Sequence, residues 1–105
     1  MTPPPRKLLA PGSLFGTIVA MGQTVAEILE QARRSQANVR FNDLRKLVEA
    51  VGYVHRRQKG SHHVFTHAAR PALPLVNLQS DGGKAKPYQV RQVIGLIDEH
   101  KLEVR

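Results

Sequence analysis

Between Asn42 and His67 the hydrophobic pattern switches from helical to strand-like across a single glycine, and that switch leaves few architectures open. Leu44, Leu47, Val48 and Val51 recur at the spacing of one helix face over about Asn42–Val51, and Gly52 supplies the stop. Tyr53–Arg57 then reads as a strand, "QKGS" as a tight turn in which Gly60 supplies a positive φ, and His62–His67 ("HHVFTH") as the return strand. A helix feeding so directly into a hairpin has to bury its apolar stripe on one face of that hairpin.

The flanking segments extend this frame. "TVAE" is a capping box, Thr24 with Glu27, and Val25, Ile28, Leu29 and Ala32 follow it as the inner face of a helix over residues 24–34. "AARPALP" reads as a loop, Leu73–Gln79 as a third strand and "SDGGKAK" as a flexible basic loop. Pro87 suits the first turn of a last helix whose apolar face is Val90, Val93, Ile94 and Ile97. The expected fold class is therefore α+β in two layers, a three-stranded antiparallel sheet with helices on one face.

Four prolines and three glycines among the first 22 residues, with no helical period, mark residues 1–22 as a flexible tail ahead of a domain over 23–105. Met21 stands just before the first helical signal and is a candidate start. The stretch "RKLLAPGSLFGTIVAMG" loosely imitates a signal peptide, but Pro11, Gly12 and Ser13 break it and no clear cleavage site follows. No apolar run approaches the roughly 20 residues a membrane span requires. A cytoplasmic protein with no membrane association is expected.

Sixteen Lys+Arg against eight Asp+Glu give a net charge of +8, which favours a polyanionic partner: nucleic acid first, an acidic protein second, an anionic membrane third. With no cysteine there is no disulfide framework, thiolate metal site or thiol nucleophile.

The run "FNDLRKLVEAVGYVHRRQKGSHHVF", followed by a short strand and "GKAKPYQVRQVI", resembles the HicA family over about Val39–Ile97, and its most specific element is "KGSHH" after helix–Gly–aromatic. The resemblance implies a fold similar to a double-stranded-RNA-binding domain, and the toxin of a type II toxin–antitoxin pair. It also implies ribonuclease action on mRNA, silencing by a HicB-type antitoxin, and a catalytic histidine after Gly-Ser, here His62. The helix at 24–34 and the tail lie outside that family core, so the resemblance assigns them no role.

The residues themselves point the same way. Cleaving RNA without a metal needs a base for the ribose 2′-OH, an acid for the leaving 5′-oxygen, and cations for the phosphorane. Histidine suits the first two tasks because it titrates near neutral pH. Alternation sets His62, Val64 and Thr66 on one strand face and His63, Phe65 and His67 on the other. Phe65 belongs in the core and draws His63 inward, which leaves His62 pointing to solvent. His63 is thus read first as a structural residue and second as a further acid or base. His55 and His67 read as ordinary, partly exposed residues, and His100 as a helix-end histidine.

The expected RNA-binding set is Arg56, Arg57, Lys59, Gly60 and Ser61 at the hairpin, with Lys84, Lys86, Tyr88 and Arg91 at the start of the last helix, where Tyr88 could stack on a base. No cofactor and no metal are expected. His63 and His67 share a face but stand about 13 Å apart along a strand, too far for one ion. "DGGKAK" lacks the order of a phosphate loop. Two readings from other classes stay open: a non-catalytic RNA-binding module using the same basic hairpin, and a protein-interaction domain whose charge meets an acidic partner.

Overall fold

The computed structural model describes residues 23–104; the expected tail, residues 1–22, lies outside the described residues. Helix α1 (Val25–Arg34) is followed by a 3-10 turn (Gln36–Asn38), helix α2 (Phe41–Ala50), strands β1 (Tyr53–Lys59), β2 (His62–His67), β3 (Val76–Asp81) and β4 (Lys84–Ala85), and helix α3 (Pro87–Glu99). The strands form one antiparallel sheet in the order β1-β2-β3-β4. The order helix, strands, helix from Phe41 onward agrees with the double-stranded-RNA-binding-like fold that the family resemblance implies.

The sheet has four strands, not three. The additional strand comes from the segment read as a flexible basic loop, and Gly82 and Gly83 explain why. Both adopt positive φ (61° and 87°), the combination a two-residue type I′ hairpin requires, so the chain turns back and Lys84 and Ala85 pair with Asp81 and Ser80. Beyond β4 the ladder gains an isolated bridge between Arg40 and Lys84, with the Phe41 amide donating to the Gly83 carbonyl at 3.0 Å. The third strand also starts later than expected, at Val76. Pro74 lies outside the ladder, its carbonyl accepting from the Tyr53 hydroxyl at 2.8 Å, and Leu75 is exposed.

The core lies between the helices and one sheet face. Leu44, Leu47 and Val48 from α2, Val90, Val93 and Ile97 from α3, and Phe65, Val76 and Leu78 from the sheet are all buried. α1 adds Ile28 and Ala32 and packs on α2 and α3. Its start is held by the reciprocal capping box, Thr24 Oγ1 accepting from the Glu27 amide at 3.2 Å and Glu27 Oε1 from the Thr24 amide at 2.9 Å. At the other end of α1, Arg33 makes a bidentate pair with Asp98 of α3 at 2.6 and 2.9 Å. That pairing lowers the Asp98 pKa, chiefly through the hydrogen bond.

His67 differs from expectation: it is buried. Its Nε2 donates to the Val51 carbonyl at 2.9 Å, while Nδ1 accepts from the Ala69 and Arg70 amides at 3.2 and 3.0 Å. Backbone groups on both sides therefore fix one neutral tautomer. The imidazole ties the end of β2 to the end of α2 and fills the space beside Gly52, whose φ is +111°.

Candidate functional site

The face of the sheet turned away from the helices is where the charge collects, and an irregularity in β1 decides which residues reach it. Tyr53, Val54 and His55 pair with His67, Thr66 and Phe65, but the register shifts between His55 and Arg57. Arg56 is the extra residue of this bulge, and Arg57 then pairs with Val64, Gln58 with His63 and Lys59 with His62. In an uninterrupted strand Arg56 and Arg57 would point to opposite faces. Here Arg57 and Lys59 share the outer face with His62, and Arg56 reaches it as well, its Nε donating to Thr66 Oγ1 at 2.8 Å. No sequence signal foretold the bulge.

His62 is exposed and occupies the second position of a row that runs across the sheet. Lys59 pairs with it from β1 and Gln79 from β3. The β3–β4 register places Lys86, one residue beyond β4, next to Gln79. With strands about 4.8 Å apart, the row Lys59–His62–Gln79–Lys86 extends over roughly 14 Å. Lys84 lies on the same face across from Asp81, and Asp81 partly offsets Lys86, whose Nζ is 4.0 Å from the carboxylate. The turn joining Lys59 to His62 consists of Gly60 and Ser61. Positive φ at Gly60 alone (59°) is the type II′ requirement, and the Ser61 carbonyl accepts from the Ser80 amide at 3.4 Å.

His63 lies on the opposite face of the sheet from His62, among the helices. It is 8% exposed, its ring centroid is 4.9 Å from Phe41, and its Nδ1 is 3.2 Å from Nε2 of His55. Only one of these nitrogens can carry the shared proton, so the pair cannot hold two imidazoliums without losing the bond. Burial, with the nearby His55 and Arg45, lowers the His63 pKa. His55 is half-buried and also packs edge-on against Phe65, with centroids 5.1 Å apart.

Tyr88 and Arg91 sit on the solvent face of α3, opposite its buried Val90, Val93 and Ile97. Tyr88 is nevertheless tied to the row through a residue that sequence reasoning passed over, Gln89. Its buried carboxamide accepts from the Gln79 amide at 2.8 Å and donates to the Tyr88 hydroxyl at 3.2 Å. A polar residue beside Val90 on the inner helix face was the only signal for it. No such bond links Arg91 to the row. Among the described residues no cluster of three or more His, Cys, Asp or Glu side chains is placed to hold a metal ion, and no helix is long and apolar enough to cross a membrane.

An exposed imidazole that shares an open sheet face with Lys59 and Arg57 can exchange a proton with a bound anion while the cations balance its charge. A family model described as the HicA toxin of bacterial toxin–antitoxin systems matches residues 41–98, more than half of the chain. No curated protein and no solved structure matches the chain.

Proposed function

The chain belongs to the HicA family, the toxins of bacterial toxin–antitoxin pairs, and from that premise we propose that it is an endoribonuclease that cuts mRNA with His62 as the acid–base residue. The observation that carries this reading is the outer row, in which an exposed imidazole stands between Lys59 and Gln79 with Arg57 on the same face. RNA laid along the row would bring one phosphate to His62. The imidazole takes the proton of the ribose 2′-OH, the 2′-oxygen attacks phosphorus, and the bond to the 5′-oxygen breaks. The proton accepted by His62 is the one the leaving oxygen then needs. Lys59 and Arg57 stabilise charge on the phosphorane. The scheme requires no metal, and DNA is not a substrate because it lacks the 2′-OH.

His63 has a supporting part in this account. It faces Phe41 and His55 beneath the sheet, on the side away from the row, so the second acid–base role is left to the leaving oxygen's return proton from His62. A HicB-type antitoxin would silence the toxin by covering His62 and the surrounding cations, with opposite charge speeding the encounter.

The test is His62→Ala in the purified chain. The variant should bind single-stranded RNA as the wild type does and leave it uncut. A non-catalytic RNA-binding module would instead show no cleavage by either protein and equal affinity in both.

A further inference from the structure

The Gln89 carboxamide sits 4% exposed between a sheet strand and an exposed tyrosine, and its two bonds constrain each other. The backbone amide of Gln79 can only donate, so the group 2.8 Å from it must be the carboxamide oxygen. The NH2 group therefore faces the Tyr88 hydroxyl at 3.2 Å, and against an NH2 that hydroxyl must act as acceptor. With its oxygen turned towards Gln89, the one Tyr88 proton is directed elsewhere. Tyr88 is 48% exposed, and among the described residues its hydroxyl proton meets no protein acceptor, which leaves it free for one arriving from solvent. Gln79 is the neighbour of His62 in the row, and the Tyr88 oxygen lies within about 8 Å of the Gln79 amide through these two bonds.

We infer that Tyr88 is a preset hydrogen-bond donor for a phosphate flanking the one at His62, and that Gln89 is the positioning residue that fixes its polarity. Phosphate oxygens only accept, so a hydroxyl already committed to donating outward matches them without reorientation. The inference deepens the ribonuclease reading and rests on it. It stands beside the stacking role expected for Tyr88: stacking uses the ring face, whereas donation uses the hydroxyl alone.

The experiment measures the affinity of a single-stranded RNA oligonucleotide for the full chain, in a His62→Ala background so that the probe stays intact. Tyr88→Phe keeps the ring and should weaken binding roughly tenfold, the worth of one hydrogen bond to a charged group. Gln89→Met frees the hydroxyl to rotate and should cost about threefold, a fraction of that bond. In the Tyr88→Phe background it should cost nothing further, because its only route to the RNA is already gone.

Wild-type affinity in Tyr88→Phe overturns the inference. So does an equal loss from Gln89→Met in both backgrounds, which marks a merely structural residue. If Gln89→Met does not fold, Tyr88→Phe alone decides. Failure of the chain with Tyr88 and Gln89 intact to bind RNA at all overturns the ribonuclease reading, and this inference with it.

Discussion

If the outer face holds RNA by its phosphates, the salt dependence of binding counts the cations that do so. Among the described residues Arg57, Lys59 and Lys84 form no ion pair, and Arg56 uses only Nε on Thr66, whereas Lys86 is offset by Asp81. Those first four side chains set the expected slope. Each phosphate neutralised on a single strand contributes about −0.7 to the slope of log K against log salt, so four give about −2.8. Raising salt from about 50 to 200 mM should then weaken binding roughly 50-fold. Lys59→Ala removes the cation next to His62 and should reduce the slope to about −2.1, with a fall of roughly 20-fold over the same range. Fluorescence anisotropy with a labelled oligonucleotide, in the His62→Ala background, reads both slopes. A variant that loses affinity while keeping the wild-type slope would refute the phosphate-contact reasoning, as would a wild-type slope near zero.

Two further predictions concern the scaffold. In Gly52→Ala the new Cβ would meet the buried His67 ring (2.7 Å from Cε1) at a φ of +111°. Backbone strain together with loss of the His67 hydrogen bonds should cost about 3–5 kcal/mol in urea unfolding. A cost below about 1 kcal/mol would show that the imidazole moves aside freely. The second prediction concerns pH. Burial lowers the His63 pKa below its ordinary 6.5, so the unfolded chain takes up the proton first as pH falls. The contribution of His63 to stability is complete above about pH 6.5 and is lost progressively below it, towards the folded-state pKa. The urea midpoint should therefore drop between pH 7.5 and 5.5, and less so in His63→Phe; parallel profiles for the two proteins would contradict this.

Much of this architecture was legible in the residues because burial writes a period into them. Leu44, Leu47 and Val48 marked the inner face of α2, and Phe65 fixed the sense of β2, so that His63 points in and His62 out. What escaped was geometry without a compositional mark. The bulge at Arg56 involves no glycine or proline, and it alone brings Arg57 and Lys59 to the face of His62. The Gly82–Gly83 pair is visible, but in a sequence it signals flexibility, where two successive positive φ values in fact make a hairpin. His67 resembled a surface histidine because its partners are backbone groups, among them the Val51 carbonyl, which sequence patterns do not display. Gln89 was hidden for a similar reason: its buried carboxamide stands in for a strand partner of Gln79 where β4 gives way to α3.

The central claim is that the exposed imidazole of His62 does the cutting. Its most direct test is a bacterial host expressing the wild-type chain or His62→Ala at equal soluble levels, with growth and mRNA integrity followed together. The wild type should stop growth and degrade mRNA, and the variant should do neither. Equal toxicity of both proteins would contradict the role of His62, and harmlessness of both would contradict the enzyme itself.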